Sequence, residues 1–310
     1  MNILVTGGAG FIGSHLCEAL ISLGHNLTVL DDLSSGNIKN LNSCIDLIDF
    51  KECKVEEFDF KNMDNIESVV HLAAQTSVPL SIEDFKKSSS SNLLGTIKII
   101  DFCKSNNASF VYASSAAVYG NLDIGDDEKN DVNLLSPYAV DKFAMESYAE
   151  VAYQLYKLSS IGLRFFNVYG PRQDPTNSYS GVISIFCNRL IENKDIIING
   201  GYQTRDFIFV KDAVNALIRS INKVSYETRC DYINTLTGQS ITIDDIANSL
   251  IKATGSKVNK IYKEMKEGDP KKSNGTSNKL KNILNMTPDS MTSIEKGLIK
   301  TIESMKNKPF

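Results

Sequence analysis

The chain has 310 residues, 42% of them hydrophobic, enough to bury one large core or two joined ones without disulfide or metal staples. Its formal net charge of -4, with both signs mixed along the chain, offers no basic face for a phosphate backbone, so no nucleic acid is expected as a partner. No apolar run reaches the ~18 residues of a membrane span, and Met1 leads straight into a strand-like stretch without a leader pattern, so a cytoplasmic protein with no membrane contact is expected.

The first predicted element is a strand over 2–6. It runs into Gly7, Gly8, Ala9, Gly10, Phe11, Ile12 and Gly13 and then into an amphipathic helix over 11–23. Strand, glycine turn and helix in this order suit a pyrophosphate, because the helix N-terminus presents unpaired amides and a partial positive charge. Gly7 and Gly10 are assigned the tight turn and the close backbone approach, and Gly13 the close packing of helix on strand. A second strand over 27–31 ends in Asp31, where a carboxylate bonds the adenosine ribose and repels a 2'-phosphate, so NAD is expected rather than NADP. Asp32 is the weaker candidate, because neighbours on a strand point to opposite sides.

Further strands are predicted over 68–73, 109–113 and 160–166, alternating with helices over 92–104 and 137–157. Such alternation predicts an α/β fold, a doubly wound parallel sheet with helices on both faces. His71 ends an apolar strand and reads as a packed core histidine. With His15 and His25 at no ligand spacing to it, no metal site is expected. The six cysteines are scattered without a CxxC pair and read as reduced core fillers.

Beyond Asn167 the chain turns to loop chemistry, with Pro171, Asp174, Pro175, Thr176, Asn177 and Ser178, and a second, smaller domain is placed there. The apolar stretch Thr204–Val214 reads as a return to the first domain. The expected limits are thus 1–166, rejoined by about 206–236, and 167–205 with 237–310. Residues 257–281, rich in lysine, serine and asparagine, read as a solvated polar loop.

The strand over 109–113 delivers Ser114 and Ser115 to the carboxyl edge of the sheet, where ligands bind in such folds. Ser136 and Pro137 then open a helix that carries Tyr138 and Lys142 one turn apart on one face. A tyrosine ionises near pH ~10 and is a poor base at neutrality, so the lysine ammonium and a positive nicotinamide are expected to pull it down.

At these residues the sequence resembles the extended short-chain dehydrogenase/reductase family, through TGGAGFIG, HLAAQTSVP, YASSAAVYG, SPYAVDK, LRFFNVYGPRQ and QTRDF, collinear over nearly the whole chain. Within that family it is most similar to UDP-sugar 4-epimerases. The resemblance implies a Rossmann domain followed by a smaller C-terminal α/β substrate-binding domain. It implies an isomerase of nucleotide-sugar metabolism that inverts C4 of a UDP-hexose or UDP-N-acetylhexosamine through a transient 4-keto sugar. It also implies catalytic roles for Ser115, Tyr138 and Lys142, and cofactor contacts from Asp59, Phe60, Leu72, Ala73, Ala74 and Asn92 in addition to the glycine turn, Tyr138 and Lys142. Substrate contacts are implied for Ser77, Ser115, Asn167, Asn199 and Arg205.

The chain departs from the family pattern at three places. Lys266 stands where an arginine usually precedes Gly-Asp, keeping the charge but losing the planar fork. The loop Gly200–Gln203 is one residue short. Ser273 occupies a position that is a bulky tyrosine in relatives restricted to non-acetylated sugars, and so predicts room for an N-acetyl group. The related 4,6-dehydratases carry an acidic pair in the segment that here reads Ser115, Ala116 and Ala117, which argues against dehydration. A nucleotide-sugar reductase or decarboxylase, and a non-enzymatic NAD-sensing scaffold, stay as alternatives. Spare apolar residues on the helices over 92–104 and 137–157 predict a homodimer.

Overall fold

The computed structural model describes residues 1–176, 180–265 and 270–307. In chain order the first elements are β1 (Asn2–Thr6), α1 (Phe11–Ser22), β2 (Asn26–Asp31), β3 (Ile48–Glu52) and β4 (Ser68–His71). There follow α2 (Val78–Glu83), α3 (Phe85–Ser89), α4 (Gly95–Asn106), β5 (Ser109–Ser115), α5 (Pro137–Tyr156) and β6 (Ser160–Phe165). The remainder comprises β7 (Asn167–Tyr169), α6 (Val182–Ile191), β8 (Ile196–Asn199), β9 (Thr204–Phe209), α7 (Val210–Tyr226) and β10 (Cys230–Thr235), then β11 (Ser240–Thr242), α8 (Ile243–Thr254), β12 (Lys260–Lys263), α9 (Asn278–Leu284) and α10 (Ile294–Asn307).

Seven strands form one sheet in the order β10-β6-β5-β4-β1-β2-β3. The pairings of β1 with β2, β1 with β4, β2 with β3 and β4 with β5 are all parallel. The strands are apolar on both faces because helices cover both, as at Ile3, Leu4 and Val5, all fully buried. From β1 the chain moves outward to β2 and β3 and then returns to lay β4 on the other side. This reversal opens a crevice at the carboxyl ends of β1 and β4, the place where open α/β sheets bind ligands.

Two compact units divide the chain. The first comprises residues 1–118, 134–164 and 214–233, and the second 119–133, 165–213 and 234–310. Apart from shifts of two or three residues at other boundaries, they differ from the sequence reading at two places. Residues 119–133 belong to the second unit, and the return to the first begins at Val214. The apolar stretch read as that return is β9, which pairs with β7 and β11 inside the second unit, so its hydrophobicity serves a different sheet. In that unit β12 pairs in parallel with β8, which makes an ordered strand of part of the lysine-rich stretch read as loop. Phe186, Leu190, Ile246, Leu250, Leu298 and Ile302, from α6, α8 and α10, form its buried interior.

Candidate active site

The glycine turn takes the conformation its sequence dictates. Gly7 adopts φ of 71°, and a Cβ there would lie 2.6 Å from the Ala73 amide nitrogen, so only glycine lets the loop after β4 close on the turn after β1. A Cβ at Gly13 would stand 2.1 Å from the Gly7 carbonyl oxygen, which is why α1 can start so close to β1. Gly10 precedes α1 with no side-chain cap, leaving the first-turn amides, those of Phe11 and Ile12 among them, as an anion cradle. This cradle, filled by no Cβ, fits a dinucleotide pyrophosphate.

Asp31 braces the cradle. Its carboxylate accepts from the Ala9 amide at 2.9 Å and the Leu33 amide at 2.9 Å, and burial pushes its pKa up while those two amides pull it back. Asp32 instead accepts from Ser34 beyond the strand, in line with the opposite facing of neighbours. Further along, Asp59 is exposed and accepts from the Lys61 amide, while the Phe60 ring meets Phe58 edge-on and Phe102 at a tilt, at centroid distances of 4.8 and 4.9 Å.

The loop Leu72–Gln75 is held from behind by a buried relay that the sequence did not announce. Thr6 Oγ1 accepts from the Ala73 amide and pairs with His71 Nδ1 at 2.7 Å; His71 Nε2 meets Thr96 Oγ1 at 3.1 Å, and Thr96 donates to the Asn92 carbonyl. Burial drives the His71 pKa down to about 3, so the ring is neutral, the packed core histidine expected from the sequence. Asn92 lies in a π-helical turn, Ser90–Leu94, is fully buried, and uses its amide on both the nitrogen and the carbonyl of Gln75. The sequence reading gave Asn92 a direct cofactor contact. In the structure Asn92 holds Gln75, at the end of the loop that carries Leu72, Ala73 and Ala74.

Helix α5 starts at Ser136, whose hydroxyl accepts from the Ala139 amide, with Pro137 in the first turn. One turn apart on its inner face, Tyr138 and Lys142 are 9% and 2% exposed. The Tyr138 hydroxyl is hydrogen-bonded to the Ser115 side chain, at the last residue of β5. Lys142 Nζ donates to the Ala113 carbonyl at 2.7 Å and stands 5.7 Å from the centroid of the Tyr138 ring. Ser115, Tyr138 and Lys142 therefore meet at the carboxyl edge of the sheet.

Burial dominates the electrostatics of this group in the protein without NAD. Burial raises the Tyr138 pKa, and the Ser115 bond offsets only part of that. Burial also lowers Lys142 to about 8, against the pull of Asp141 and Glu146. Without NAD, desolvation of the phenolate is the largest influence on Tyr138.

Ser77 caps α2, its hydroxyl accepting from the Leu80 amide at 3.2 Å. The other substrate candidates lie in the second unit. Asn167 opens β7 and pairs in register with Phe207 of β9, two residues past Arg205, so both side chains fall on one face of that three-stranded sheet. Arg205 is 8% exposed and its Nη1 donates to the Thr204 and Pro270 carbonyls. Its sequence neighbour Asp206 accepts from the Thr237 amide and hydroxyl. Asn199 ends β8, its carbonyl accepting from Gln203, and half-buried Ser273 accepts through its carbonyl from Ser240. Lys266 lies outside the described residues.

Fold and site define a dinucleotide-binding protein of the doubly wound α/β class. The chain belongs to the NAD dependent epimerase/dehydratase family, whose model matches residues 3–232, and its cofactor is NAD. It is 36% identical over 272 residues to a putative UDP-glucose 4-epimerase of Methanocaldococcus jannaschii, covering 86% of this chain and 87% of that one. The UDP-glucose 4-epimerase of Mycolicibacterium smegmatis is 32% identical over 317 residues, with 99% of each chain covered. Among solved structures, the UDP-N-acetylglucosamine 4-epimerase of Methanobrevibacter ruminantium in complex with UDP-N-acetylmuramic acid superposes with a TM-score of 0.93 at 32% identity, covering 99% of this chain and 98% of that one.

Proposed function

We propose that this protein is an NAD-dependent UDP-sugar 4-epimerase that interconverts UDP-glucose with UDP-galactose and UDP-GlcNAc with UDP-GalNAc. The observation that carries the reading is the meeting of Tyr138, Lys142 and Ser115 at the sheet edge, two strands from the glycine cradle. When bound, NAD supplies reversible hydride removal at C4. The glycine turn and the first-turn amides of α1 would hold its pyrophosphate, and Asp31 its ribose.

The chain's own residues manage the proton. Tyr138 takes it from the 4-hydroxyl as general base and returns it once C4 has been inverted. Ser115, already bonded to the Tyr138 hydroxyl, aligns the same sugar oxygen. Lys142, present as an ammonium below pH about 8, stabilises the phenolate. A sugar that must turn over between the two half-reactions has to be held by a remote handle, so binding energy belongs on the UDP group. Asn167, Asn199, Arg205 and, for the second phosphate, Lys266 are proposed to provide it. Arginine suits this task because its donors form a planar fork.

The test is to incubate the protein with each of the four UDP-hexoses and follow C4 inversion by proton NMR. Inversion without net change in NADH absorbance is expected; net NADH formation points to a reductase or decarboxylase, and inertness with added NAD defeats the proposal. Within this reading Ser273 leaves space for the N-acetyl group. Ser273→Tyr is expected to spare turnover of UDP-glucose and UDP-galactose but to suppress the acetylated pair by about tenfold or more, the scale of a steric discrimination in a pocket. Equal loss on both pairs refutes the steric argument.

A homodimer is part of the proposal. Helix α5 turns Val140, Tyr148, Val151 and Leu155 outward at helical spacing, 46–66% exposed. The segment over 92–104 adds Leu94, 56% exposed, while Ile99, Ile100, Phe102 and Cys103 of α4 belong to the core of its own unit. Sedimentation equilibrium is expected to give twice the 34.2 kDa chain mass, and Val151→Glu to return it to one. A wild-type monomer at micromolar concentration would remove this part of the reading.

A further inference from the structure

Tyr138, Lys142 and Glu146 follow one another at four-residue spacing, so they form a single stripe along the inner face of α5. Each meets the end of the sheet. Tyr138 reaches Ser115, Lys142 reaches the Ala113 carbonyl, and Glu146 accepts from the Ser114 hydroxyl at 2.5 Å. Glu146 also takes both prongs of Arg164 from β6, Nε at 2.8 Å and Nη2 at 2.6 Å, and the Arg164 guanidinium stacks on the Tyr232 ring of β10 at 4.0 Å. The ion pair and Ser114 are buried, with Arg164 1% and Glu146 4% exposed, and Tyr232 is half-buried.

A buried ion pair is a poor way to stabilise a fold, because desolvating two charges cancels most of their attraction and an apolar pair does as well. What it supplies is geometry. Three charge-assisted bonds, two of them from a planar fork, fix the height and rotation of a helix far more narrowly than apolar packing does. We infer that Glu146, locked by Arg164 and Ser114, is a positioning residue that sets how the Tyr138 and Lys142 face of α5 meets the end of β5. Ser114 and Ser115 are adjacent on one strand, so the bond that pins Ser114 to Glu146 also fixes where Ser115 stands for Tyr138. Glu146 acts through charge as well. The groups facing Lys142 are Tyr138, Asp141 and Glu146 on its own helix and the neutral His71 on β4, so Glu146 is one of the two carboxylates that favour the ammonium.

The kinetic arm of the test rests on the proposed epimerase reaction, whereas the titration arm uses the free protein and does not. The double variant Glu146→Gln/Arg164→Met removes the ion pair without stranding a buried charge. It is expected to melt within a few degrees of wild type, to lose about tenfold or more in kcat with KM little changed, and to lower the pH at which Lys142 titrates in lysine carbon NMR. Ser114→Ala is expected to lower kcat in the same manner without touching the ion pair, and Ser114→Thr, which restores the hydroxyl, to recover most of it. A folded double variant with kcat within about twofold of wild type and an unmoved Lys142 titration overturns the inference. Should the double variant fail to fold, equal kcat in Ser114→Ala and wild type overturns it instead. A wild type that inverts no UDP-hexose sinks the proposed function alone, and the Lys142 titration still decides the role of Glu146.

Discussion

Replacing Tyr138 by phenylalanine is expected to lower kcat for every UDP-hexose by about 10²–10⁴-fold, the range lost when a positioned general base is removed. The substitution deletes one oxygen from a side chain that is 9% exposed, so the packing of α5 on the sheet is retained and NAD is expected to stay bound. KM for the UDP-sugar should move little, because the handle that binds it is remote from the reacting hydroxyl. The measurement is C4 inversion by NMR with released NAD quantified after denaturation. Turnover at the wild-type rate would remove the basis of the mechanism. The size of the loss also reports on Ser115, since a hydroxyl that takes over part of the proton transfer would leave a residual rate above the bottom of this range.

How much of this was legible beforehand depends on whether a residue's role is written in local spacing or in tertiary contact. The glycine turn, Asp31 at the end of β2, and Tyr138 with Lys142 are local patterns, and each appears in the structure where its spacing places it. β3 leaves no mark in the sequence, because an edge strand reading Ile-Asp-Phe-Lys-Glu is largely exposed and lacks the apolar run that marks the central strands. β9 was visible but assigned to the wrong sheet, since hydrophobicity reports burial and not the partner that provides it. The supports of the site were the least legible. Thr6, Thr96 and Asn92 act through His71 across four separate elements, and no spacing in the sequence links them. Glu146 and Arg164 did carry a signal. A carboxylate on the buried stripe of an amphipathic helix and an arginine inside a strand as apolar as Ser160–Phe165 each require a buried partner, and two such residues invite pairing. The spacing of tyrosine and lysine says nothing of desolvation, which is the largest influence on both in the protein without NAD.

That desolvation leads to the second large expectation, on Lys142→Met. In the protein alone Lys142 titrates at about 8 while Tyr138 is raised above its ordinary value, so on raising the pH the lysine loses its proton before the tyrosine does. Ionising Tyr138 near neutrality therefore needs the ammonium together with the positive charge of oxidised NAD. An opposite charge at this range lowers a titrating group by about 1–3 units. Without the lysine, the acid limb of the kcat profile is expected to move up by about that amount, with the deepest loss near pH 7 and partial recovery near pH 9. Stability should change in the opposite sense. A lysine depressed from 10.5 to about 8 means that the unfolded chain binds the extra proton between those values, so stability rises with pH across that window and the burial penalty is fully present below pH 8. A depression of that size corresponds to about 3 kcal/mol. Methionine fills the same space without charge, so at pH 7 the variant is expected to melt higher than wild type, by the part of that penalty which the lost bond to Ala113 does not offset. A higher melting temperature with a poorer, alkaline-shifted enzyme marks a charge kept buried for chemistry against the interest of the fold. If the variant melts lower and its pH profile is unshifted, Lys142 is a structural tether and the phenolate is stabilised by other groups.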